Sequence, residues 1–246
     1  AVSSPCRAAA VFADRRSWAA TVPTISASRS STPAASTSFP DDIFSEGEDI
    51  DVDTLANLGP LRPMAGIWQG LRGHDVKPEA DGPAEQRYVE RIELQPIDPQ
   101  SNGPQLFYGL LYHVHITKPD DVETYHSQVG YWLWEPVTGT LIHTLTIPRG
   151  QTALATGHAT ADARHFELEA RRGSTVNGIC SNPFLERAFR TDAFRIEVTI
   201  HDDGRWSYAQ DTVLSIEGQS EPFHHTDRNT LTKIGEATPN PLARAR

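Results

Sequence analysis

Residues 194–201, FRIEVTIH, put Phe194, Ile196, Val198 and Ile200 in one phase and Arg195, Glu197, Thr199 and His201 in the other. Strict apolar–polar alternation is the period of a strand buried on one face, because successive side chains leave a pleated chain on opposite sides. Upstream, HFELEARR (165–172) repeats it, with Phe166, Leu168 and Ala170 against His165, Glu167, Glu169 and Arg171. LFYGLLYHVHI (106–116) sets Leu106, Tyr108, Leu110, Tyr112, Val114 and Ile116 on one side. Turn-forming groups punctuate these runs: PDD at 119–121, PVTG at 136–139 and DDG at 202–204. Read this way, the chain holds about ten strands, near 65–73, 86–97, 105–117, 123–134, 140–148, 151–158, 164–172, 192–201, 205–217 and 226–234. Short helical turns are expected at NLGPLRPMAG (57–66) and at PFLERA (183–188). No βαβ alternation occurs, so the expected fold is all-β: an antiparallel up-and-down barrel, whose closure leaves no exposed edge. A barrel of that size has room for a small apolar ligand.

The remainder of the chain reads differently. Residues 1–40 are rich in Ala, Ser, Thr and Arg, with Asp14 their only acid, and hold no helical or strand period. Such a segment is expected to be disordered, and its Arg- and Ser-rich, acid-poor character also suits an organelle transit sequence. DDIFSEGEDIDVD (41–53) carries seven acids and no base, the composition of a solvated linker. The expected division is thus a disordered and then acidic segment over 1–54, a ligand-binding barrel over 55–235 and a flexible tail over 236–246. A net charge of −10 argues against nucleic acid as a partner. No apolar run approaches the roughly 18 residues of a membrane-spanning helix, so membrane insertion is not expected. Two cysteines, Cys6 and Cys180, exclude a disulfide framework and suit a reducing, cytoplasmic setting. The chain has no phosphate-binding glycine loop, serine elbow, paired C-x-x-C or EF-hand spacing.

GIWQGLRG (66–73), following LGPLRPMA, resembles the opening strand of the nitrobindin family, written G-x-W-x-G-x-G. Gly66, Trp68 and Gly70 match; Arg72 stands where the last glycine belongs, with Gly73 beside it. HHTDRNTL (224–231) resembles the family's terminal segment, in which a histidine precedes a Leu/Ala/Thr-rich stretch, with one residue inserted. GYWLW (130–134) and DDGRWSY (202–208) fall where the family has comparable strands and a hairpin. The resemblance spans roughly residues 57–235 and is nearest to a bacterial long-loop subgroup described as fatty-acid-binding-protein-like, haem-binding β-barrels. It implies a ten-stranded barrel around a ferric haem b with one histidine as axial ligand, nitric oxide binding, and isomerisation of peroxynitrite to nitrate. The alternative expectation, from another class, is a non-catalytic intracellular carrier of a fatty acid or other apolar molecule.

Strand parity sorts the ten histidines. His165 and His201 lie in polar phases, and His113 and His115 oppose the Tyr108–Tyr112–Val114 face. His74 is expected in a loop and His158 near a rim. His126 is not oriented by its strand, since both faces carry aromatics. His143 shares the phase of Leu141, Leu145 and Ile147, as a hydrogen-bonded core histidine or a pocket residue on the distal side. His225 has the parity of Leu231 and is expected to face inward, while His224 faces outward or caps the preceding turn. Taken alone, the pair also suits rim histidines bonded to Asp227 or Glu221. With the resemblance, His225 becomes the expected iron ligand and His224 the alternative, with Asp227 considered as its hydrogen-bond partner. Trp68, Trp206, Tyr208, Leu214 and Ile216 are expected to carry the macrocycle, and Thr212 to meet a bound anion or water.

Overall fold

The computed structural model describes residues 42–246, so the expectations for residues 1–41 lie outside the described part of the chain. A short helix α1 (Thr54–Asn57) and a 3-10 turn (Gly59–Met64) precede strands β1 (Gly66–Glu79), β2 (Gly82–Pro96), β3 (Gln100–Asn102), β4 (Gln105–Thr117), β5 (Thr124–Glu135) and β6 (Thr140–Ile147). Then follow β7 (Gln151–His158), β8 (His165–Arg171), β9 (Ile179–Ser181), helix α2 (Pro183–Ala188), β10 (Phe189–Ile200), β11 (Trp206–Ile216), β12 (Phe223–Gly235) and helix α3 (Pro241–Arg244). The antiparallel order β1-β2-β4-β5-β6-β7-β8-β10-β11-β12 closes on itself through β2–β4 and β1–β12 pairing. This is the expected closed ten-stranded barrel. Two short additions, β3 on β4 and β9 on β7, lie outside the ring.

Alternation places the side chains as the sequence implies. β8 runs exposed–buried without a break, and Tyr108, Leu110, Tyr112, Val114 and Ile116 are all buried. One end of the barrel is plugged by the 3-10 turn. Leu61 and Met64 are fully buried there, and the Trp68 indole donates to the Met64 carbonyl at 2.7 Å. Gly59, at φ +53°, leaves the space that the Trp134 ring fills. Asn240, in the segment expected to be a flexible tail, is buried and donates to the Val52 carbonyl and the Asp98 carboxylate.

The wall is continuous except between β7 and β8, where the ladder is reduced to the pair Thr156↔Glu169. The first residues of β7 pair with β9 instead, and the residues just before β9 bridge the two strands, the Gly178 carbonyl accepting from Leu154 of β7 and the Asn177 carbonyl from Arg171 of β8.

β1 departs from its expected course. It runs past residue 73 to Glu79 as a long hairpin with β2, so His74 is a strand residue and not a loop residue. Between Gly70 and Gly73 a bulge places two residues of β1 opposite one of β2, and Leu71 and Arg72 are both exposed. The extra residue inverts the phase: Trp68 and Gly70 face inward before it, Gly73 and Asp75 after it. Gly73 is required by its neighbour, since a Cβ there would stand 2.1–2.4 Å from the Tyr88 ring. Gly73→Ala is therefore expected to lower stability by about 1–3 kcal/mol through overpacking, read as a fall in the midpoint of denaturant unfolding.

Candidate functional site

The unplugged end of the barrel opens on a cavity of about 710 Å³, within the range of small-molecule and cofactor sites. Its mouth is formed by Lys77, Pro78, Tyr125, Arg149 and the apolar side chains of Phe184 and Phe189, the last two partly exposed. Its interior has two unlike walls. β1, β2, β11 and β12 contribute carboxylates and hydroxyls, whereas β4, β5, β6 and β10 contribute mainly aliphatic and aromatic groups.

Three linked acids build the polar wall. Asp75 accepts from His225 Nε2 at 2.8 Å and from the Tyr125 hydroxyl at 2.6 Å. Burial pushes its pKa up, but these two donors outweigh burial and hold it below the ordinary carboxylate range. An ionised carboxylate only accepts, so Nε2 of His225 carries the hydrogen and the lone pair of the neutral ring lies on Nδ1. Across β1–β12, Asp75 pairs with Asp227, which accepts from the Gln210 amide at 2.8 and 2.9 Å and from the Tyr88 hydroxyl at 3.3 Å. Desolvation raises Asp227 to about 6. Deeper, Glu90 accepts from the Tyr208 hydroxyl (2.9 and 3.0 Å) and from Asn229 (2.9 Å), and Tyr208 in turn meets the Tyr88 hydroxyl at 2.8 Å. No cation faces this group, and burial, reinforced by the Asp227 charge, raises Glu90 to about 8. Both tyrosines are pushed upward by the same burial.

Opposite, His143 is buried, stacks on Trp132 at 4.0 Å and shares a 2.8 Å hydrogen bond through Nε2 with Tyr112. Gln128 donates to the same hydroxyl at 2.6 Å, and that hydroxyl donates to the Thr144 carbonyl at 3.1 Å. The assignment that pairs all four groups puts a hydrogen on His143 Nε2 and leaves Nδ1 a bare acceptor, which has no partner. Desolvation depresses His143 to about 3, so the ring stays neutral. His126 lines the cavity nearer the mouth, also depressed by burial.

Of the residues singled out from sequence, His225, His143 and Thr212 line this one cavity, and Thr212 pairs with His225 in register. His225, Asp227, Asn229 and Leu231 share the inward phase of β12, so the strand is unbroken there. His224 points outward, exposed, and its Nδ1 lies 2.8 Å from the Asp211 carboxylate. Trp68 is not in the cavity wall: its N–H is taken by Met64 and its ring belongs to the plug, edge-on to Trp206. Ile216 also lies outside the lining, whereas Trp206, Tyr208 and Leu214 belong to it. The partner of His225 is Asp75, not Asp227, whose carboxylate meets Gln210 and Tyr88. Sequence reading left His126 without an orientation, named Asp227 only as a partner of His225, and missed Asp75 and Glu90. Glu90 was readable, since it has the phase of Tyr88, Ile92 and Leu94. Asp75 was hidden by the bulge.

The sequence profile of the THAP4-like, heme-binding β-barrel domain family matches residues 57–233, and the chain belongs to this family, the nitrobindin family. No curated protein matches the chain. Among solved structures, the crystal structure of Rv2717c from M. tuberculosis matches with a TM-score of 0.51. It is 23% identical over 75% of this chain and 99% of that one, a likeness of fold.

Glu90 releases its proton near pH 8 in the folded chain, against an ordinary value of 4.5. The folded state therefore holds the extra proton between these values, and this contribution to stability is lost as pH rises through that window. Glu90→Gln, a neutral isostere, is expected to be close to wild type near pH 5 and to become the more stable protein towards pH 9. Denaturant midpoints of the two proteins across that range check this; a difference independent of pH contradicts it.

Proposed function

We propose that this member of the family binds a ferric haem b in the barrel cavity with His225 as axial ligand, and that the loaded protein binds nitric oxide and isomerises peroxynitrite to nitrate. The observation that carries the proposal is His225 itself: an imidazole on the inward face of the last strand, its side chain 35% exposed, in the wall of a cavity in a heme-binding family. Its neighbour His224 lies on the outer face.

The residues present suit the group. Trp132, Phe194, Ile116 and Leu145 offer apolar surface to a macrocycle, and Lys77 and Arg149 at the mouth offer cations to its propionates. A non-covalent haem is favoured because the sequence has no C-x-x-C-H attachment motif, and Cys180 is exposed on β9, outside the cavity lining. Bound haem supplies an iron with a position for nitric oxide or for the peroxynitrite anion, whose O–O bond it can cleave. The chain's part is to offer a nitrogen lone pair from His225, to keep water off the aromatic wall, and to confine the fragments of a small anion until they recombine.

A fatty-acid carrier is less well served by this cavity. A carboxylate drawn inside would meet Asp75, Asp227 and Glu90, while Lys77 and Arg149 stand at the mouth.

Hemin titration with Soret detection tests the proposal. Wild type and His224→Ala are expected to give the same histidine-ligated spectrum, and His225→Ala to lose it with at least a tenfold loss of affinity. Wild type failing to shift the Soret band rejects haem binding; His225→Ala matching wild type moves the ligand elsewhere, with His143→Ala the next variant. Peroxynitrite decay, followed by stopped flow with nitrate as product, then tests the reaction.

A further inference from the structure

Tyr125, Asp75 and His225 come from three strands, and two of them are not neighbours: β2 and β4 lie between β1 and β5. The Tyr125 hydroxyl nevertheless reaches Asp75 Oδ2 at 2.6 Å, and His225 Nε2 reaches Oδ1 at 2.8 Å. Both oxygens of one almost fully buried carboxylate are thus capped by donors from opposite sides of the mouth. The Lys77 and Lys118 ammonium groups stand 5.7 and 5.6 Å from the Tyr125 ring centroid, within cation–π reach. The consequence for His225 is specific. Nε2, the nitrogen farther from the backbone and the one a macrocycle can approach with least obstruction, is the nitrogen that Asp75 occupies. Nδ1, which carries the lone pair, sits beside the Cβ atom.

We propose that Asp75 and Tyr125 form a catch that holds His225 through the nitrogen needed for iron, so that loading of the cavity requires His225 to be released from Asp75. This rests on the assignment of His225 as axial ligand. Asp75 is then a positioning residue that acts through His225. It keeps the imidazole ordered at the mouth in the haem-free chain, and it lowers both the rate and the affinity of iron capture. Iron and Asp75 would compete for one nitrogen: ligation through Nε2 would require its hydrogen to pass to solvent while Nδ1 takes one up, so that the ring remains a neutral imidazole, and Asp75 would keep its bond from Tyr125.

The test compares the full-length wild type with Asp75→Asn, which keeps the shape of the buried side chain, and with Asp75→Ala. In the haem-free proteins, a hydrogen-bonded ring N–H of His225 is expected far downfield in the proton NMR spectrum of wild type, and is expected to vanish in Asp75→Ala. In stopped-flow hemin mixing, both variants are expected to load faster and bind tighter than wild type, on the order of tenfold for the loss of one hydrogen bond to a charged group. The gain should disappear in the double variant with His225→Ala. Weaker or slower loading in Asp75→Asn overturns the catch and makes Asp75 a support for ligation through Nδ1; an unchanged rate, or no downfield resonance in wild type, overturns it as well. Absence of a Soret shift in wild type and all variants rejects haem binding itself, a failure distinct from a catch that is merely absent.

Discussion

One extra residue in β1 decides what this barrel can hold. Up to Gly70 the strand sends even-numbered side chains inward, and without the bulge Arg72, His74 and Val76 would follow them. With Leu71 and Arg72 both outside, the inward set becomes Gly73, Asp75 and Lys77. The bulge therefore brings a carboxylate to the last strand, where His225 meets it, and a cation to the mouth. It also accounts for the displaced glycine of the opening motif. The requirement is for an inward position without a side chain beneath Tyr88, and the bulge moves that position from 72 to 73.

Placing three acids in one cavity wall is costly unless their charge is managed, since a buried carboxylate loses its hydration. The wall manages each differently. Asp75 stays ionised because His225 and Tyr125 cap both oxygens. Glu90, deepest and with no cation near it, keeps its proton and is held by Tyr208 and Asn229. Asp227, between them, is held by Gln210 and is pushed up only to about 6. Charge is thus concentrated towards the mouth, where His225, Lys77 and Arg149 stand, and the floor is polar but neutral at pH 7. The opposite wall follows the same logic, with His143 kept neutral against Trp132.

Most of the barrel was legible in the sequence because closure makes one phase of every strand the core. HFELEARR and FRIEVTIH have the burial their alternation states, and Leu231 carried the phase that turned His225 inward and His224 outward. What escaped reading was either too short or out of phase. β3 and β9 have three residues each, too few to show a period. His126 was ambiguous because Tyr125 and Tyr131 mirror Trp132 and Trp134 in the opposite phase; burial of the two tryptophans settles which phase is the core. Trp68 was placed correctly inside the barrel, but parity along a strand carries no depth. It cannot say that position 68 belongs to the plug and position 225 to the mouth.

Depth also separates the three inward histidines. His143 lies where the cavity narrows among Trp132, Tyr112 and Phe194, with Nε2 fixed by Tyr112 and no exposed edge to offer. His126 stands nearer the mouth, where burial depresses its pKa, but with no capped carboxylate fixing its ring. His225 alone joins a partly exposed ring to a buried, ionised partner that orients it. Both halves of that arrangement come from strand pairing: β11 sets Thr212 beside His225, and β1 brings Asp75 against it only because the bulge precedes them.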